Sequence, residues 1–242
     1  MPPFREQRIH LRRRVAGALM ASWAAAFATA AAAHNIGGTD AAFVAGARGP
    51  DPVPFAYLGA KHMVTGYDHL LFLVGVIFFL FRLRQIALYV SLLSLGHSIT
   101  LLAGVFFDLH VDPRLVDAVI GLSVAYKAFD NLGGFRTLFG VQPDPRAAVL
   151  GFGLIHGFGL ATKLQALELN REGLLANLVS FNVGVEIGQF LALALILMAM
   201  TLWRRTPAFR PTAEGANVLL MFAGFVLAGQ QLAGYFLDGA VS

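Results

Sequence analysis

The sequence predicts an all-α fold, a polytopic bundle of six transmembrane helices that follows a cleaved signal peptide. The 242-residue chain is 57% hydrophobic and only 13% charged, whereas a soluble domain is typically about 25% charged. Six apolar runs are long enough to cross about 30 Å of hydrocarbon at about 1.5 Å per residue. Lipid offers no partners to backbone polar groups, so each run should be a helix and the protein should reside in a lipid bilayer.

Residues 1–33 are typical of a secretory signal peptide. A basic region is followed by a small-residue apolar stretch that ends in Ala31-Ala32-Ala33, an A-x-A cleavage pattern. The alternative is an uncleaved first helix. This segment holds five arginines and one glutamate, so the remaining chain has 13 basic and 13 acidic residues. The excess of basic residues therefore reflects targeting and indicates no nucleic-acid partner.

The rest of the chain divides into a periplasmic N-terminal loop over 34–54 and a transmembrane domain over 55–238. Glycine and proline are frequent in the loop. Residues 55–61 are predicted to form a short interfacial helix or the first turn of the first span. The six spans are predicted over 62–81, 85–107, 115–132, 147–166, 174–203 and 216–237.

Basic residues alternate between the loops and orient these spans. They follow the first, third and fifth spans: Arg82 and Arg84; Arg136 and Arg146; Arg204, Arg205 and Arg210. Because basic loops face the cytoplasm, the mature N-terminus and the C-terminus should both lie outside.

Six ionisable groups lie within or at the edge of the apolar runs: His62, Asp68, His69, His97, His156 and Glu186. Such groups are costly in hydrocarbon, so they need partners or a function. Imidazoles and carboxylates together indicate a metal site. The chain has no cysteine, so the ligands would be nitrogen and oxygen, which suit nickel, zinc, cobalt, copper(II) or manganese.

Spacing suggests how these groups meet. His62 and His69 are seven residues apart and would share one face of a continuous helix. Asp68 would ligate the metal or orient an imidazole. The alternative is that these groups are merely solvated where the helix begins. For His97, the alternative to a ligand role is a buried imidazole bonded to a backbone or hydroxyl group.

Pairs of glycines four residues apart flank His156 and Glu186. Gly153 and Gly157 form one small-residue face, and Gly184 and Gly188 form another. Such faces let helices approach closely, so these two helices are expected to pack together and bring His156 to Glu186.

Other polar side chains are candidates for the ion pathway or for supporting the ligands: Ser98, Thr100, Asn182 and Gln189. Cleavage after Ala33 would leave His34 as the N-terminus, where its amine and imidazole could chelate a metal. Lys127 and Asp130 are predicted to form an ion pair.

Four segments in order resemble the HupE/UreJ family. They are His62-x5-Asp68-His69, Gly96-His97-Ser98-x-Thr100, His156-Gly157-Phe158-Gly159, and the run from Phe181-Asn182 through Glu186 to Gln189. The resemblance implies a bacterial inner-membrane nickel permease with about six helices, associated with hydrogenase or urease gene sets. It maps the family's H-x5-D-H residues onto His62, Asp68 and His69. No glutamate follows His156 closely, which places this chain in a divergent branch and leaves zinc, cobalt or copper open.

Three functions remain open at this point. The first is a permease or facilitator whose metal site opens to the periplasm; without an ATP-binding motif, its transport would be passive or coupled to another gradient. The second is an intramembrane zinc hydrolase, with Ser98 or Thr100 beside the histidines and Glu186 as general base. The third is a metal-storage or maturation scaffold for a partner metalloenzyme.

Overall fold

The computed structural model of the protein describes Val44, Gly46 and residues 49–165 and 172–239, with the backbone alone at 163, 238 and 239. The predicted signal peptide and His34 lie outside the described residues. The continuous helices are α1 (Pro52–Thr65), α2 (Tyr67–Ile77), α3 (Leu83–Phe106), α4 (Pro113–Asn131), α5 (Gly134–Phe139), α6 (Pro145–Gln165), α7 (Leu174–Arg204) and α8 (Phe209–Gly239).

Three of these helices are long and apolar enough to cross a membrane: Leu83–Phe106, Leu174–Arg204 and Phe209–Leu237. Their outer surfaces support this interpretation. Phe190 and Leu195 on α7 and Phe222 on α8 have exposed fractions of 65%, 62% and 65%. So much exposed apolar surface is typical of a protein that contacts lipid.

The first predicted span is not one helix, and this prediction is wrong. Gly66, with φ −71° and ψ 92°, is extended and separates α1 from α2. Its N–H closes the last turn of α1 on the His62 carbonyl at 2.9 Å, and its own carbonyl accepts from the Leu70 N–H at 3.1 Å. Each half is too short to cross the bilayer alone. His62 and His69 therefore lie on different helices.

Glycines bring the helices together in three close pairs, α1 with α7, α3 with α6, and α4 with α8. A methyl group on Gly153 of α6 would lie 2.5 Å from the Leu93 carbonyl oxygen of α3, and one on Gly96 of α3 would lie 2.7 Å from the Leu150 carbonyl oxygen. On α7, Gly184 and Gly188 face the backbone of α1 at Ala56 and Ala60. The fold thus depends on backbone contacts that side chains would prevent.

The short helix α2 lies at the centre of the bundle and contacts α1, α3, α4, α7 and α8. Its C-terminal carbonyls are held from two directions. The Asn131 amide of α4 donates to the Gly75 carbonyl at 2.8 Å, and the Arg204 guanidinium of α7 donates to the carbonyls of Ile77 and Phe78. These side-chain bonds supplement the turn bonds that the Gly75 and Ile77 carbonyls accept from the backbone N–H groups of Phe78 and Leu80, at 3.4 and 3.0 Å.

The predicted ion pair between Lys127 and Asp130 is confirmed. The Lys127 ammonium lies 2.5 Å from the Asp130 carboxylate, and both side chains are largely buried. The Gln142 amide donates to the other oxygen of the same carboxylate at 2.6 Å.

Candidate metal centre

The first turn of α2 carries an acid and an imidazole that are bonded to each other. The Asp68 carboxylate lies 2.8 Å from His69 Nδ1 and also accepts from the His69 backbone N–H at 2.8 Å. A carboxylate at a helix N-terminus is also favoured by the helix dipole. The exposed fractions of Asp68 and His69 are only 5% and 4%. The alternative of groups merely solvated at a helix start is therefore excluded.

Four imidazoles, those of His62, His69, His97 and His156, form an imidazole cluster centred on His69. The His69 ring centroid lies 4.8 Å from that of His156, 5.3 Å from that of His62 and 6.2 Å from that of His97. These residues come from α1, α2, α3 and α6. The break at Gly66, rather than a shared helix face, lets His62 and His69 approach each other.

His97 is the cluster member with the least support from neighbouring protein groups. Both of its ring nitrogens are buried and lack a hydrogen-bond partner among the described residues. The hydroxyl of Thr100 instead donates to the Leu154 carbonyl at 2.6 Å, which ties α3 to α6. A buried imidazole satisfied by a backbone or hydroxyl group is therefore not what the structure contains. Buried polar atoms without partners are rare and indicate a missing ligand, ion or water.

His156 has a polar neighbour that sequence reasoning missed. Its Nε2 lies 3.3 Å from the hydroxyl of Ser123, a fully buried residue on α4 that also donates to the Ile120 carbonyl at 2.6 Å. Serine is ordinary in an apolar span, so nothing in its sequence context distinguishes it.

The donor set suits a borderline transition metal, although the side chains are not arranged as a finished site. Asp68 binds Nδ1 of His69, which makes Nε2 the atom with which this ring would ligate, as in carboxylate–histidine–metal arrangements. Within the described ranges, no three His, Cys, Asp or Glu side chains form a group that could hold a metal ion directly. Coordination would require the rings to rotate out of their mutual edge contacts.

The prediction that His156 and Glu186 lie close together is wrong. The glycine face of α6 packs against α3, and that of α7 packs against α1, so the two faces do not meet. Glu186 is exposed and lines a groove between α3 and α7 together with Ser98 and Gln189. It is separate from the imidazole cluster.

The other two candidates for the ion pathway, Asn182 and Gln189, are buried side chains of α7. The Gln189 amide donates to the Ser94 hydroxyl at 2.8 Å and to the Val90 carbonyl at 3.3 Å. Asn182 donates to the Leu178 carbonyl at 3.1 Å. Its side-chain oxygen is buried and has no hydrogen-bond partner among the described residues.

Comparison with known proteins assigns the chain to a family. The family model described as HupE / UreJ protein matches residues 38–239. The chain belongs to the HupE/UreJ family. That membership implies a membrane protein related to nickel or cobalt transport. Neither the curated proteins nor the solved structures include a match to this HupE/UreJ chain. The match includes every member of the imidazole cluster, Asp68 and Glu186.

Proposed function

We propose that this HupE/UreJ protein is a permease of the bacterial inner membrane for a divalent transition metal of the nickel or cobalt type. The imidazole cluster and Asp68 bind the ion as it crosses, and the metal is cargo rather than a resident cofactor. The observation that carries the proposal is His97. Both of its ring nitrogens are buried and have no hydrogen-bond partner in the described part of the chain, and its ring centroid lies 6.2 Å from that of His69. A metal ion is the ligand that most readily satisfies such a group.

The broken helix supports a transport role. Transporters commonly bind their substrates at discontinuous helices, whose ends supply local charge and whose halves can move separately. Here Asp68 and His69 are in the first turn after the break at Gly66. A small movement of α2 against α1 would change the separation of His62 and His69, and with it the affinity for an ion.

The proposed topology has six spans after a cleaved signal peptide, with the mature N-terminus in the periplasm. Three long apolar helices support it, and α4, α6 and the α1–α2 pair would supply the others. At about 1.5 Å per residue, the 19 residues of α4 extend roughly 28 Å and the 21 residues of α6 roughly 31 Å. The side with Arg82, Arg136 and Arg204 would be cytoplasmic.

The other functions have weaker support. A zinc hydrolase that uses Glu186 as general base needs that carboxylate beside the metal, and Glu186 lines a separate groove. A storage or maturation scaffold would use the same cluster but would hold the ion. Only the movement of metal across a membrane distinguishes a scaffold from a permease.

The direct test is metal flux into proteoliposomes that contain a trapped metal-sensitive dye, with Ni²⁺ or Co²⁺ supplied outside. We expect His69→Ala to lower the initial rate at least about tenfold, because it removes the imidazole at the centre of the cluster. His97→Ala and Asp68→Ala should also lower it. The matched control is His110→Ala, since the side chain of His110 is 68% exposed and lies outside the cluster.

The proposal fails if His69→Ala transports metal at the wild-type rate. Metal binding by the wild type without any flux would favour the scaffold. Thermal melting of each variant separates loss of a ligand from loss of the fold.

A further inference from the structure

An open groove with a volume of about 540 Å³ lies between α3 and α7, and most of the residues that line it are apolar. On α3 its wall includes Leu83, Ser91 and Ser98, which recur on one helix face, and on α7 it includes Glu186 and Gln189. The 15-residue separation of Leu83 and Ser98 corresponds to roughly 22 Å along the helix. The groove therefore extends from the first residue of α3 to the depth of the residue that follows His97.

The Glu186 carboxylate is the one charged group among the residues that line this groove. The structure gives it no hydrogen bond or ion pair within the described part of the chain. Val183, which lies one turn earlier on the same helix face, and the adjacent Ile187 are each 51% exposed and apolar. A carboxylate on such a surface of a membrane helix is costly and indicates a function.

Hydroxyl groups of α3 line the same groove as Glu186 of α7. Ser94 and Gln189 are buried and bonded to each other at 2.8 Å, which fixes the floor of the groove. Ser91 and Ser98 line the same wall. Carboxylate and hydroxyl oxygens suit hard or hydrated cations, unlike the imidazole nitrogens of the cluster.

Helix α3 separates the groove from the imidazole cluster. His97 is directed to the imidazole cluster, where its ring lies 6.2 Å from that of His69, whereas the adjacent Ser98 lines the groove. Successive residues on a helix differ by about 100° in direction, so one turn of α3 contributes to both regions.

We propose that the groove between α3 and α7 is a second cation site, in which the Glu186 carboxylate and the hydroxyls of Ser91 and Ser98 hold a hydrated cation. This cation is either the transported metal, held one helix away from the imidazole cluster, or a monovalent coupling ion. This inference deepens the proposed transport function and rests on it.

The first test uses the absence of cysteine in the chain. Ser98→Cys should react with a charged methanethiosulfonate reagent, because a cation site must be reachable from water. Ile99→Cys is the matched control. Ile99 is 49% exposed on the same helix but does not line the groove, so its thiol should face lipid and react at least about tenfold more slowly. Equal reactivity of the two thiols, or no reaction at Ser98, would overturn the proposal.

The second test identifies the cation and separates this proposal from the first. Glu186→Gln should slow metal flux at least about tenfold, as expected when a ligand is lost, and Glu186→Asp should retain most of it. Glu214→Gln, at an exposed glutamate of α8, should leave flux unchanged. Protection of the Ser98→Cys thiol by Co²⁺ alone, lost when Glu186→Gln is added, identifies the cargo. Protection by Na⁺ alone, lost in the same way, identifies a coupling ion.

The two proposals fail differently. If His69→Ala stops flux and Glu186→Gln does not, the groove is not a cation site and the permease stands. If His69→Ala has no effect, the permease proposal itself is wrong. If neither cation protects the Ser98→Cys thiol, the second cation site is wrong, whatever the effect of Glu186→Gln on metal flux.

Discussion

At the scale of single residues, His69 connects the other imidazoles. Its ring contacts those of His62, His97 and His156, and its Nδ1 is bonded to Asp68. His62, Asp68 and His69 were functional candidates from sequence because they are ionisable groups at an apolar run and because they match the H-x5-D-H motif of the family that the chain resembles. The contribution of Ser123 could not be predicted, because a serine in an apolar helix usually bonds only to its own backbone.

Ser123 gives a test of how His156 is positioned. Ser123→Ala removes the hydroxyl 3.3 Å from His156 Nε2, so the ring loses a contact that orients it. We expect the Kd for Ni²⁺, measured by titration calorimetry on purified protein, to rise by up to about tenfold, as is typical of groups that orient a ligand.

The matched control is Ser180→Ala. Its hydroxyl also bonds to its own helix, at the Ala176 carbonyl, but it is exposed and outside the cluster. Equal Kd values for Ser123→Ala and the wild type would show that Ser123 does not orient His156.

At the scale of helices, some boundaries could be read from the sequence and others could not. The apolar run predicted over 174–203 corresponds to α7, Leu174–Arg204. The break at Gly66 was missed because one glycine within an apolar run is compatible with a continuous helix. The pairing of the helices was also missed. Glycines four residues apart predict that a helix face packs closely, but they do not predict which helix it packs against.

The pairing of α3 with α6 predicts the effect of substitutions in the glycine run. Gly153→Ala places a methyl group 2.5 Å from the Leu93 carbonyl oxygen and should destabilise the protein by about 1–3 kcal/mol, as overpacking does. Thermal melting in detergent measures this.

Gly151→Ala is the control in the same helix. A methyl group there meets nothing within 4 Å, so the higher helix propensity of alanine should leave the melting temperature unchanged or raise it. A Gly153→Ala variant as stable as Gly151→Ala would argue against the α3–α6 contact.

At the scale of the whole molecule, the composition correctly predicted a helical membrane protein, and the motifs correctly predicted the HupE/UreJ family. The orientation stays a prediction and can be mapped with single cysteines, since the chain has none. Leu109→Cys should be labelled by an impermeant maleimide on intact cells, because it follows α3 on the proposed periplasmic side. Val141→Cys, between α5 and α6, should be labelled only after lysis.

Both positions are exposed, at 44% and 58%, so access to water does not distinguish them. Labelling of Val141→Cys on intact cells, with Leu109→Cys protected until lysis, would reverse the proposed orientation.

X-ray absorption spectroscopy of the purified, Ni²⁺-loaded protein tests whether the imidazole cluster binds the transported metal, because imidazole ligands give characteristic multiple scattering. We expect nitrogen ligands at about 2.0–2.1 Å, a distance typical of metal–imidazole bonds, with the imidazole signal reduced in His69→Ala and unchanged in His110→Ala. A spectrum with oxygen ligands alone, identical in the wild type and His69→Ala, would show that the cluster does not bind the metal.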